Sequence, residues 1–77
     1  MSVEIRMPKF GLTMTEGTVV TWLKAKGDTV TKGEPVLEVE TDKINNVVES
    51  PADGTLSEII AQEGETFSVS DLLGVIT

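Results

Sequence analysis

Displaced by 37 residues, this 77-residue chain aligns with itself. That internal repeat restricts the folds open to it more than any other feature. Gly17-Thr18 falls on Gly54-Thr55, Trp22-Leu23 on Ile59-Ile60, and Gly27-Asp28-Thr29-Val30 on Gly64-Glu65-Thr66-Phe67. Glu34, Val36 and Val39 fall on Asp71, Leu73 and Ile76. At the front of each half a strand runs into proline, residues 3–8 resembling 44–51 with Pro8 falling on Pro51. The displacement there is larger, so the first half carries extra residues within 9–16 that have no counterpart in the second.

The repeat unit is β throughout. Its apolar stretches are short, rich in Val, Ile and Thr, and punctuated by Gly, Pro and Gly-acid pairs. Strands are expected over residues 3–7, 18–24, 36–41, 44–50, 55–61 and 72–77, with short extended pieces at 29–30 and 66–67. A helix over 18–26 is disfavoured by the β-branched run Val19-Val20-Thr21, with its first two residues valine, and by Gly27. One unit cannot bury its own apolar face, but two facing copies can. The expected fold is therefore all-β: a flattened barrel or sandwich of two four-stranded sheets related by an approximate two-fold axis, a barrel-sandwich hybrid. Inward positions should include Val19, Leu23, Val30, Leu37, Val39, Val48, Leu56, Ile60, Phe67, Leu73 and Ile76. Trp22 and Ile59 fall out of phase with these, which calls for a bulge or for packing beneath a loop.

Composition removes most side-chain chemistry. Cysteine and histidine are absent, which excludes thiol nucleophiles, imidazole bases, disulfides and the commonest zinc ligands. The net charge of −7 and an aromatic content of 4% argue against nucleic-acid binding, which needs a basic footprint. No apolar run approaches membrane-spanning length, and no membrane association is expected. Carboxylates, lysines and hydroxyls remain, but a barrel this small leaves little room for a catalytic pocket.

The junction between the two halves is the most informative connection. Val36-Leu37-Glu38-Val39-Glu40-Thr41 and Ile44-Asn45-Asn46-Val47-Val48 are separated only by Asp42 and Lys43. Two such runs joined by two residues predict a β-hairpin. Asp suits the turn because its side chain accepts from the following backbone. Lys43 would then stand at the apex, the one cation among Glu34, Glu38, Glu40, Asp42 and Glu49. A solvated turn lysine is the ordinary explanation of such a residue; its place at the symmetry junction argues for more.

Across its whole length the chain resembles a lipoyl domain, the carrier module of 2-oxo acid and acetoin dehydrogenase complexes, within the biotinyl/lipoyl carrier family. The residues carrying the resemblance run Met7-Pro8-Lys9-Phe10-Gly11-Leu12-Thr13-Met14-Thr15-Glu16-Gly17, then Trp22, Gly27-Asp28, Lys32-Gly33-Glu34, Glu38-Val39-Glu40-Thr41-Asp42-Lys43, Ser50-Pro51-Ala52-Asp53-Gly54 and Glu63-Gly64. The resemblance implies that a lipoate ligase or lipoyl transferase joins lipoic acid to Lys43 as an amide. It implies further partners: a thiamine-diphosphate decarboxylase that loads an acyl group, an acyltransferase core that passes it to coenzyme A, and a dihydrolipoyl dehydrogenase. The domain itself would catalyse nothing. A monomer is expected, as a single domain over residues 1–77 excised from the N-terminus of a longer acyltransferase chain. A bacterial cytoplasm is the expected location, with the mitochondrial matrix as the alternative.

Around that lysine, Glu38 reads as the solvated outer face of its strand. Glu40 and Asp42 have two readings, the same solvated face or a contact for basic partner surfaces. By the family pattern the extra loop, with Phe10, Gly11, Leu12 and Met14, lies beside the turn and helps the decarboxylase select its carrier. The other reading has one or two of its apolar side chains covering the barrel end; at least one should be partly exposed. Biotin carriers of the same fold typically flank the lysine with methionines, where this chain has Asp42 and Ile44. An unmodified structural barrel is the remaining alternative. Asn45 and Asn46 depart from the small or apolar residues usual after the lysine, and local hydrogen bonds from them would tilt the hairpin. Residues 7–17 look more like those of acetoin or pyruvate carriers than of succinyl carriers.

Overall fold

The computed structural model describes residues 2–42 and 44–77. Eight strands follow in order: β1 (Val3–Arg6), β2 (Glu16–Trp22), β3 (Thr29–Val30), β4 (Pro35–Thr41), β5 (Ile44–Glu49), β6 (Gly54–Ile59), β7 (Thr66–Ser68) and β8 (Leu72–Ile76). They form two antiparallel four-stranded sheets, β1-β8-β6-β3 and β5-β4-β2-β7. Exchanging β1 with β5, β2 with β6, β3 with β7 and β4 with β8 turns one sheet order into the other. Each half therefore gives two strands to each sheet, and neither half closes without its copy.

The repeated residues repeat because they make the same bonds. The Ala25 N–H donates to the Asp28 carboxylate at 2.9 Å, and the Gln62 N–H donates to Glu65 at 3.0 Å. A second pair of turns is closed the same way, Thr31 N–H to Glu34 at 3.0 Å and Ser68 N–H to Asp71 at 2.8 Å. Each carboxylate satisfies a backbone donor that a tight turn leaves unpaired. Between the halves, the Gly27 N–H donates to the Leu56 carbonyl and the Gly64 N–H to that of Val19, both at 2.7 Å.

The core between the sheets is built on Ile5, Met7, Val19, Val30, Val36, Leu37, Val39, Val48, Leu56, Ala61, Leu73 and Ile76. Fully burying a side chain such as Leu37 contributes roughly 1.5–3 kcal/mol. Two positions expected inside are not there: Leu23 and Ile60 are 45% and 41% exposed. The pairing register shifts between Val19 and Thr21 and again between Leu56 and Glu58. The extra residues at these bulges, Val20 and Ser57, are symmetry mates. An extra residue reverses the inward-outward alternation beyond it. Trp22 and Ile59 consequently turn onto the core, and Leu23 and Ile60 turn outward. Trp22 donates its indole N–H to the Ala61 carbonyl at 2.8 Å and covers Gly74, where a Cβ would lie 3.1 Å from the ring. Phe67 is half-buried and packs against the core from its edge. Two further irregularities lie between Ile5 and Arg6 and between Pro35 and Leu37, the latter setting the consecutive residues Val36 and Leu37 both inside.

Candidate functional site

The β4–β5 hairpin is the longest paired ribbon in the molecule. Its ladder runs from Pro35↔Glu49 to Thr41↔Ile44. Pairing that holds to Thr41 and Ile44 leaves two residues for the connection. Asp42 is exposed and adopts a left-handed conformation, φ 49°. Aspartate tolerates this region better than most residues, and the tightest hairpin turns require it. Lys43 lies outside the described residues.

Glu40 is exposed opposite Asn45, and Glu38 pairs with Val47 on the same outer face, alternating with buried Leu37 and Val39. The inner face of the hairpin end is different. Thr41 packs its methyl toward Gly17 on β2, where a Cβ would come within 3.3 Å. Asn46 donates its side-chain N–H to Thr41 Oγ1 at 2.9 Å, and more weakly to the Ile44 carbonyl at 3.4 Å. The strands stay regularly paired through this bond, so Asn46 braces the hairpin. Asn45 points to solvent.

The loop between β1 and β2 packs against the same end. The Phe10 N–H donates to the Met14 sulfur at 3.1 Å, and the Met14 N–H to the Gly11 carbonyl at 3.2 Å, which curls the loop on itself. Met14 packs on the core, Phe10 lies at the surface, and Leu12 is 95% exposed. A shallow depression of about 250 Å³ runs between residues 13–18 and 40–42. A second, of about 170 Å³, is lined by Phe10, Gly11, Thr13, Met14, Thr41, Asp42, Ile44 and Asn46. The fold thus gathers Phe10, Gly11 and Met14 beside Asp42 and Ile44, the two neighbours of Lys43 in sequence. Leu12 lines neither depression. Thr41, Asn46 and Gly17 were not picked out from the sequence as site residues. Thr41 and Gly17 lie in the stretches that carry the family resemblance, and Asn46 departs from the usual pattern, but none of the three pointed to this contact.

Neither depression is a catalytic cleft. Among the described residues no group of three acidic side chains converges to hold a metal ion. What the hairpin end supplies is a braced, solvent-facing strand pair with a folded loop at its side.

Comparison with known proteins agrees with this architecture. The family described as "Biotin-requiring enzyme" (biotin/lipoyl) matches residues 3–76. The dihydrolipoyllysine-residue acetyltransferase component of the acetoin cleaving system of Cupriavidus necator is 53% identical over 74 residues, covering 96% of this chain and 20% of that protein. The succinyltransferase component of the 2-oxoglutarate dehydrogenase complex of Bartonella vinsonii is 49% identical over 76 residues, covering 99% and 18%. The chain thus spans about a fifth of the length of these relatives. The solution structure of the lipoyl domain of the 2-oxoglutarate dehydrogenase complex of Azotobacter vinelandii superposes with a TM-score of 0.77 at 39% identity, covering 97% of this chain and 95% of that one. On these matches and this fold, the chain belongs to the lipoyl domains of the biotinyl/lipoyl carrier family, modules that carry a group and catalyse nothing themselves.

Proposed function

We propose that the chain is a swinging-arm acyl carrier bearing lipoic acid on Lys43, within a dihydrolipoamide acyltransferase of a 2-oxo acid or acetoin dehydrogenase complex. The observation that carries this reading is the ladder that holds to Thr41↔Ile44 and leaves Asp42 and Lys43 as the whole connection. The surroundings fit such an arm. Asp42 and Ile44 are exposed, so an attaching enzyme has access to both neighbours of the lysine.

When attached, lipoate supplies a dithiolane that accepts and releases acyl groups; the chain supplies its anchorage. A rigid ribbon gives the arm one origin and leaves its length free to enter a partner's active site. Amide formation removes one positive charge, taking the net charge from −7 to −8 and leaving an acidic hairpin end of Glu38, Glu40 and Asp42. Glu40 and Asp42 face basic surfaces on the attaching ligase or transferase and, once the arm is in place, on the decarboxylase. Phe10, Gly11, Leu12 and Met14 form the decarboxylase-selecting loop, with Leu12 as its exposed contact. The acyltransferase core and a dihydrolipoyl dehydrogenase complete the cycle.

Acyl loading tests this reading. The lipoylated domain is mixed with an acetoin, pyruvate or 2-oxoglutarate decarboxylase and its substrate, and its intact mass is measured. Gain of one acyl group with at least one of them supports the proposal. No gain with any of them, or turnover by the domain alone, contradicts it.

A further inference from the structure

We propose that Asn46 is a positioning residue for modification of the hairpin lysine, acting through Thr41; the inference rests on the carrier reading above. Residues 41 and 44 face each other at the hairpin end, and 39 faces 46. Thr41 and Asn46 are therefore diagonal neighbours on one face, within reach of each other's side chains. Their bond is short, 2.9 Å, and partly shielded from water. It is also directional at both ends. The threonine methyl is seated over Gly17, with 3.3 Å to the Cβ that glycine lacks, so the hydroxyl is held toward Asn46. The asparagine N–H group shares the Ile44 carbonyl at 3.4 Å, which fixes the orientation of the amide.

The consequence is local. Thr41 and Ile44 are the last paired residues before Asp42 and Lys43. A two-residue connection inherits its orientation from the strand ends that carry it, and β2 fixes one of those ends through Gly17. Without the side-chain bond the terminal pair is free to fray, because a single ladder rung at a hairpin end is exposed to competing water. An enzyme that must bring the lysine amine to an activated carboxyl pays for such fraying in rate, since misplacement of a reacting group by a fraction of its reach is costly.

Thr41→Val and Asn46→Leu remove the bond while keeping side-chain size, and Thr41→Ser keeps the hydroxyl. Each variant is incubated with purified lipoate ligase, lipoate and ATP, and kcat/KM is followed by intact mass, with Tm measured alongside. Val30→Ala, destabilised in the other sheet, is the control for stability alone. Thr41→Val and Asn46→Leu should each lower kcat/KM about tenfold, Thr41→Ser should stay within about threefold of wild type, and the double variant should be no worse than either single one. Val30→Ala, assayed well below its Tm, should keep the wild-type rate. Wild-type rates for Thr41→Val and Asn46→Leu, or losses matched by Val30→Ala, overturn the role of Asn46 and leave the carrier reading standing. A wild type that the ligase does not modify overturns both.

Discussion

Gly33 and Ser70, equivalent positions in the two halves, share one left-handed backbone conformation, with φ of 88° and 79°. Their N–H groups also do the same work, donating to the carbonyls of Ser50 and Met7 at 2.9 and 2.8 Å. The first half uses glycine there and the second uses serine. A Cβ in that region is strained. Ser70→Gly should therefore raise stability by about 0.5–1 kcal/mol net, the roughly 1–2 kcal/mol of relieved strain exceeding the extra freedom glycine gains when unfolded. Urea unfolding checks this, and an unchanged or lower midpoint would count against the strain.

Gly17 is constrained by space rather than by its backbone. A Cβ there would sit 2.5 Å from Val39 Cγ1, and its mate Gly54 meets Ile76 Cγ2 at 2.8 Å. Gly17→Ala should cost about 1–3 kcal/mol by overpacking. Combining it with Val39→Ala should give less than the sum of the two losses, because the second change vacates the space the first one needs. Strict additivity would show that the contact is not the cause.

Glu34 gives the stability a pH dependence. The Lys24 ammonium, 3.0 Å away and hydrogen-bonded to it, holds its carboxyl below the ordinary value of 4.5, and the Thr31 N–H adds to this. A lowered folded value means that ionised Glu34 stabilises fully above 4.5 and that this contribution is lost as pH falls from there through the folded value. Glu34→Gln should melt below wild type at neutral pH, with the two melting temperatures converging below pH 4.5. The gap should be small, since the pair is a third exposed. A gap that is constant down to the acid limit would contradict the assignment.

Leu12 separates recognition from folding. At 95% exposure its truncation should leave stability within about 0.5 kcal/mol of wild type. As the loop's contact, Leu12→Ser should lower the kcat/KM of reductive acylation by the cognate decarboxylase about tenfold. An unchanged rate would remove Leu12 from the docking surface.

Much of this architecture was legible because the repeat is written in turn residues. Asp28 and Glu65, or Glu34 and Asp71, are visible in the sequence at equivalent positions, and each pair caps the same turn in both halves. The errors at Leu23 and Ile60 have one physical origin. A bulge adds no distinctive residue type, and Val20 and Ser57 share no chemistry, so only the phase of Trp22 and Ile59 betrayed it. Ile5 and Met7 were not among the expected inward positions, yet both are buried, Ile5 in β1 and Met7 just beyond it. At the site, the two-residue junction could be counted directly. The Thr41–Asn46 bond could not, because it joins residues on two strands and depends on a glycine of a third.

Attachment at Lys43 is decided by intact-mass analysis of the wild-type domain and Lys43→Arg, each co-expressed with lipoate ligase in the presence of lipoate. One lipoyl increment is expected on the wild type and none on the variant. An increment that survives the substitution, a biotinyl increment in a biotin ligase control, or no increment on either protein would contradict it.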